Sequence, residues 1–315
     1  MKIVVLDLCT LSRADLDFSE LESLGEVEYY DVLPEDRLVE AIGDAEVLLV
    51  NKAKLRRDVI FGCKNLKMIG LFATGYDNVD LAAASERGIC VCNVPGYSTD
   101  CVAQQAFAFI LAHATSLCEY NASVNRGEWV ESGVFSYFPF PISELAGKTL
   151  GIFGYGAIGK KVAAIGSAFG MRVIVHTRTQ PADCPFALVG REELFSESDY
   201  LTFHCPLTEQ TRGLVNKDTL AMMKPSAFLV NTSRGGVVVE EDLADALNRG
   251  VIAGAGVDVL RVEPMTADQP LRRAKNCMIT PHIAWAGLET RTRLVSMVCE
   301  NVRAFQRGAP IHKVN

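Results

Sequence analysis

A chain of 315 residues, 49% apolar and 22% charged, is long enough for two domains and has the composition of a soluble globular protein. Its net charge of −7 offers no basic face to nucleic acid, and no extended Lys/Arg cluster interrupts it. Ten cysteines lie scattered without a Cys-x-x-Cys pair, and Cys90 and Cys92 lack a zinc spacing, so neither a metal centre nor a disulfide framework is expected.

In chain order, MKIVVLDLC carries one basic residue and a short apolar run, and it reads as a first strand rather than a secretion signal. No apolar run approaches a membrane span, so the expected setting is cytoplasmic, with reduced thiols. Strand-like runs at Lys2 to Leu8, Glu26 to Tyr30, Glu46 to Val50, Met68 to Ala73 and Ile89 to Cys92 alternate with helical segments around Leu21, from Pro34 to Ile42, and from Asp80 to Arg87. That alternation predicts a small parallel α/β domain.

Asn93-Val94-Pro95-Gly96 breaks the pattern. A long helix from Asp100 carries apolar residues almost all round and is expected to be buried between domains. Residues 120–146 hold Trp129, Phe135, Tyr137, Phe138 and Phe140 with little periodicity, and read either as a flap on their own domain or, the favoured reading, as a subunit interface, hence a homodimer.

Residues 149–178 read TLGIFGYGAIGKKVAAIGSAFGMRVIVHTR. An apolar strand, a G-x-G-x-x-G turn, a helix stopped by Gly170 and a second strand follow within about thirty residues, the context that makes the glycine pattern informative. Gly154 permits the tight turn and Gly156 lets a pyrophosphate approach the backbone. Ala157 and Ile158, at the start of the helix, are expected to join Gly154, Gly156 and Gly159 in binding the cofactor, and Gly159 packs the helix on the strand. The free amides at the start of that helix then face the phosphates. An acidic residue normally ends the second strand and holds a ribose hydroxyl. Thr177 and Arg178 stand there instead, and Arg178 can pair with a 2′-phosphate, so NADP is favoured over NAD.

Beyond the turn, strands at Tyr200 to His204, Ala227 to Asn231, Gly254 to Val259 and Met278 to Ile279 are separated by helices near Lys217 to Met222 and Glu240 to Asn248. A last helix, Leu288 to Gln306, is expected to return to the first domain. Three strand ends lead towards Arg234, Glu263 and His282. Reducing a ketone by hydride leaves charge on its oxygen, which a histidine can protonate. A carboxylate beside that histidine favours its cation, and an arginine fork can hold a substrate carboxylate. Each residue also has an ordinary reading: a surface ion pair for Arg234, a turn for Glu263, a loop histidine for His282.

The stretches GYGAIG, NTSRGG, GVDVLRVEP and TPHIAW, with ATGYDNVDL near residue 75, resemble the D-2-hydroxyacid dehydrogenase family over essentially the whole chain. The resemblance implies an α/β protein of two domains. One is a Rossmann NAD(P)-binding domain over 99–286. The other is a smaller flavodoxin-like substrate domain over 1–98 and 287–315. It assigns Arg234 to substrate binding, Glu263 to the histidine's partner and His282 to acid/base work. It adds Pro206, Thr211, Thr232 and Asp258 as cofactor contacts, Asp258 near the nicotinamide amide, and Lys52, Thr74 and Gly75 as substrate contacts. Within the family, NVPGYSTDCVAQ and TPHIAWA look most like glycerate dehydrogenases, which reduce hydroxypyruvate. Gln104 departs from the Glu that many relatives carry, and Glu263 argues against a formate dehydrogenase. With only a short tail after the last helix, no appended regulatory domain is expected. Alternatives are another 2-hydroxy acid, such as 3-phosphoglycerate, or a dinucleotide-sensing protein like the corepressors that share the fold. No nucleic acid or membrane partner is expected.

Overall fold

Residues 1–179 and 181–315 are described by the computed structural model, and they form two compact units. The first comprises Met1–Ser98 and Ala286–Asn315, the second Thr99–Trp285. Ala286, expected in the second, falls in the first, and its carbonyl accepts a hydrogen bond from Arg291 Nε at 2.8 Å.

In the first unit, β1 (Lys2–Val5), α1 (Ser19–Glu22), β2 (Glu26–Tyr29), α2 (Leu38–Ile42), β3 (Val47–Val50), α3 (Arg57–Gly62), β4 (Met68–Leu71), α4 (Leu81–Glu86) and β5 (Cys90–Cys92) follow one another. The sheet is parallel in the order β2-β1-β3-β4-β5, which is the flavodoxin-like arrangement. VLLV of β3 and MIGL of β4 are buried throughout, as strands covered on both faces must be. Asp80 caps α4 by accepting from the Ala83 amide at 2.9 Å. Helix α3 was not evident in the sequence. It is six residues long, and its last carbonyls are satisfied from outside by Arg87, which donates to Ile60, Phe61, Cys63 and Lys64.

The second unit begins with α5 (Thr99–Thr115), α6 (Leu117–Asn125) and α7 (Glu128–Ser132). It continues with β6 (Thr149–Phe153), α8 (Ala157–Ala168), β7 (Arg172–His176), β8 (Ala187–Leu188), α9 (Arg191–Glu197) and β9 (Tyr200–Phe203). It closes with α10 (Lys217–Ala221), β10 (Phe228–Asn231), α11 (Glu240–Arg249), β11 (Gly254–Val257) and β12 (Cys277–Ile279). The sheet is parallel, β12-β11-β10-β9-β6-β7-β8. Its order reverses between β6 and β9, the point at which open α/β sheets form a ligand crevice.

Helix α5 buries much of its surface within this unit. Ala103, Ala106, Phe107, Phe109 and Ile110 join the core of α8, β6 and β10. Gly256 of β11 lies so close to Phe109 that a Cβ would fall 2.5 Å from its ring. The final helix α12 (Leu288–Gln306) belongs to the first unit, where Asn301 donates to the Asn93 carbonyl at 2.9 Å.

All ten cysteines are free thiols, and burial pushes Cys63 up to about 11 and Cys299 up to about 12. Among the described residues no single helix is long and apolar enough to cross a membrane; α5 and α6 pass that test only as a pair bent by 58°. Among the described residues no group of three or more His, Cys, Asp or Glu side chains is placed to hold a metal ion.

Candidate active site

The glycine turn sits where the sheet order reverses. Gly154 follows β6 at φ 98°, and a Cβ there would lie 2.6 Å from the His204 carbonyl at the end of β9. A Cβ on Gly159 would fall 2.1 Å from the Gly154 carbonyl. Packing within the protein therefore requires both glycines. Gly156 differs: a Cβ there meets nothing within 4 Å, so the space beside it is open to a bound group. Ala157 and Ile158 begin α8, whose twelve residues present free amides at this end.

The rest of the surroundings also fit a dinucleotide. The buried Thr232 Oγ1 has no hydrogen-bond partner among the described residues. Thr211 Oγ1 donates to the Pro206 carbonyl at 2.7 Å and accepts from the Thr208 amide at 2.8 Å, which fixes the loop after β9. Thr177 is half-buried and Arg178 exposed at the end of β7.

The loops after β10, β11 and β12 carry the three residues expected to do chemistry. Each loop is tied down by a buried polar side chain. Asn231, at the end of β10, accepts from the Ser233 amide at 3.0 Å and donates to the Arg234 carbonyl at 3.0 Å. Arg234 Nη1 donates to the Ser233 carbonyl at 2.9 Å. Gly235 packs on the backbone of Leu260, where a Cβ would stand 1.9 Å from the carbonyl carbon. The Arg234 loop is thereby pressed against the segment leading to Glu263. Glu240, 2% exposed, accepts from the Arg261 amide at 2.6 Å and from Gln269 Nε2 at 3.0 Å, holding the far side of that segment.

Asp258 organises the third loop. Its Oδ1 accepts from Thr280 Oγ1 at 2.5 Å and from the Ile283 amide at 2.9 Å, and its Oδ2 from the Ala284 amide at 2.8 Å. Its carbonyl accepts from the His282 amide at 2.8 Å. His282 is held between them at φ 55°, a left-handed conformation uncommon outside glycine. Burial raises the Asp258 carboxyl above its usual range, while the bonds from Thr280, Ala284 and Ile283 work against the rise. His282 Nδ1 and Glu263 Oε2 lie 2.7 Å apart.

In the first unit, Lys52 is exposed on the loop after β3, and Thr74 and Gly75 follow β4. Thr74 Oγ1 donates to the Val94 carbonyl at 2.8 Å, and Asn93 Nδ2 donates to the Thr74 carbonyl at 2.7 Å.

The residues that hold these loops were less legible in the sequence than those the loops carry. Asn231 opens NTSRGG and was legible as part of a strand end. Glu240 left no signal, because an acid in the first turn of a helix ordinarily reads as a partner of the helix dipole. Asp258 was expected to contact the nicotinamide, and its tether to the His282 loop was not foreseen.

Comparison with known proteins gives a consistent answer. Residues 107–284 match the family described as D-isomer specific 2-hydroxyacid dehydrogenase, NAD binding domain. The chain is 42% identical to a hydroxypyruvate reductase of Blautia hydrogenotrophica, covering 100% of both. It superposes on the crystal structure of a Thermus thermophilus protein with a TM-score of 0.91, at 37% identity over 100% of each chain. It also superposes on the NADPH-dependent glyoxylate/hydroxypyruvate reductase of Sinorhizobium meliloti, solved with NADP and malonate. There the TM-score is 0.85, at 30% identity over 99% of this chain and 96% of that one.

Proposed function

This chain belongs to the D-isomer specific 2-hydroxyacid dehydrogenase family, and from that premise we propose that it reduces hydroxypyruvate to D-glycerate, and glyoxylate to glycolate. The observation that carries the reading is the 2.7 Å contact of His282 Nδ1 with Glu263, on loops at the carboxyl ends of neighbouring strands. The reduced nicotinamide, bound at the glycine turn, would supply a hydride to the carbonyl carbon. His282, with Nδ1 directed at Glu263, has Nε2 left to give the substrate oxygen its proton. Glu263, in contact with Nδ1, fixes the orientation of the ring. Arg234 pairs with the substrate carboxylate, and Lys52 and the Thr74 and Gly75 backbone contribute further substrate contacts.

NADP is the favoured cofactor, with NAD also accepted. Arg178 supplies a cation for the 2′-phosphate, and the family relative from Sinorhizobium meliloti was solved with NADP. Asp258 and Thr232 serve the nicotinamide half, and Pro206 and Thr211 border it. The assembly is a cytoplasmic homodimer formed through 120–146. Phe135 and Phe138 in that stretch are 95% and 75% exposed, an apolar display that lone soluble subunits rarely carry. The excursion is anchored to its own unit, with Tyr120 Oη donating to the Phe140 carbonyl at 2.7 Å.

The test follows absorbance of the reduced nicotinamide with hydroxypyruvate and glyoxylate, using NADPH and NADH in parallel. Oxidation with both acids, faster with NADPH, is expected. Absence of oxidation with any 2-keto acid contradicts the reading.

A further inference from the structure

The loop that carries Lys52 is held by a buried carboxylate that the reaction does not use. Asp7 follows β1 and is 2% exposed. Its Oδ1 accepts from the Asn51 amide at 3.0 Å, and its Oδ2 accepts from the Lys52 amide at 2.6 Å and the Ala53 amide at 2.5 Å. Three consecutive backbone amides thus converge on one side chain. Asp7 itself is left-handed at φ 52°, a disfavoured conformation for a residue with a Cβ.

The second unit contains the same device. Asp258 follows β11 and gathers the loop after the neighbouring strand β12, which carries His282. Asp7 follows β1 and gathers the loop after the neighbouring strand β3, which carries Lys52. The order of the first sheet reverses between β1 and β3, the place where open α/β sheets present their ligand-binding loops. The remainder of the loop has its own ties. Asn51 Nδ2 donates to Thr10 Oγ1 at 2.9 Å, and Asn78 Nδ2 donates to the Ala53 carbonyl at 2.9 Å. What Asp7 alone supplies is the orientation of the amides from 51 to 53. With all three amides on its two oxygens and almost no exposure, it is not placed to exchange a proton with a substrate.

We propose that Asp7 is a positioning residue for substrate binding: by gathering the amides of 51–53 it sets where the exposed Lys52 ammonium stands, and so sets the affinity for the keto acid. The inference rests on the reading of Lys52 as a substrate contact.

Asp7→Asn keeps size and tolerates a left-handed backbone, but turns an acceptor into a donor that faces an amide. Steady-state kinetics with hydroxypyruvate are expected to show KM raised about tenfold, the loss of one charge-assisted hydrogen bond. The KM for NADPH should stay at its wild-type value, and kcat should fall less than KM rises. Lys52→Met should raise the keto-acid KM by itself, and adding Asp7→Asn to it should bring no further rise, because both act through one contact. A residue acting on KM by a route other than Lys52 would give independent, multiplying effects in that cycle, and one that merely stabilised the fold would leave KM unchanged. Wild-type KM in Asp7→Asn, no effect of Lys52→Met, multiplying effects, or failure of both Asp7→Asn and Asp7→Gly to fold would each overturn the inference. A wild-type chain that turns over hydroxypyruvate while Asp7→Asn keeps its KM overturns this inference alone. A wild-type chain inert to every 2-keto acid overturns the functional reading and this inference with it.

Discussion

Glu263 joins two loops through one carboxylate: Oε2 lies 2.7 Å from His282 Nδ1, and Oε1 accepts from the Leu260 amide at 2.9 Å. The second bond fixes where the first can point. Glu263→Gln keeps the shape but replaces the carboxylate that meets the His282 ring with a neutral amide. It is expected to lower kcat by about 10²-fold with little change in KM, the scale of a general acid deprived of its partner. Steady-state kinetics at saturating cofactor check this.

The glycines of the turn should separate by the kind of damage they do. At Gly159 a Cβ would fall 2.1 Å from a backbone carbonyl, so Gly159→Ala should lower Tm. At Gly156 a Cβ meets nothing within 4 Å, so Gly156→Ala should leave Tm unchanged. Crowding the pyrophosphate should nonetheless weaken NADPH binding by roughly tenfold or more. Calorimetric unfolding and NADPH titration of the two variants give the contrast.

Arg234 depends on its neighbour. Asn231 is fully buried, and both ends of its amide hold the turn that presents the guanidinium. Asn231→Leu should raise the keto-acid KM, because the Arg234 carbonyl and the Ser233 amide lose their partner and the turn relaxes. Arg234→Lys, which lacks the bidentate fork, should raise it by about tenfold or more. Equal KM values in the wild type and both variants would deny Arg234 its role.

His204 gives the fold an acid sensitivity. Burial pushes its imidazole down to about 3, and its Nδ1 has no partner among the described residues. The folded chain therefore holds it neutral where the unfolded chain takes up a proton, below about pH 6.5. Its folded value is the lower one, so stability is lost as pH falls from about 6.5 towards 3, by about 1.4 kcal/mol per pH unit. His204→Leu cannot take up that proton. The stability gap between wild type and this variant, from urea unfolding, should narrow by about 2 kcal/mol between pH 7 and pH 5. A constant gap would show that the ring is not held neutral.

The alternation of strand and helix was legible because buried parallel strands are continuous apolar runs: VLLV, MIGL and TLGIF announce themselves. The glycine turn was legible because its residue types are set by close approach. Short elements were not. Helix α3 is stabilised by Arg87 from another part of the chain, and β8 is two residues long. Helices α6 and α7 lie in the aromatic excursion, where exposed apolar residues such as Trp129 and Val130 erase the usual one-sided pattern.

Within the site, Arg234, Glu263 and His282 stood out because each ends a strand or follows one closely. Glu240, Asp258 as a tether and Asp7 did not. Their function is to satisfy backbone amides at long range, as Asp7 does across 44 to 46 positions of chain. No local pattern of residue types records which amide a carboxylate will meet.

The most direct measurement compares hydroxypyruvate reduction by the wild type and by His282→Ala, with NADPH binding measured on both. The account predicts turnover by the wild type, a fall of about 10²–10⁴-fold in kcat for His282→Ala, and unchanged NADPH affinity. Near-wild-type turnover in His282→Ala would contradict it.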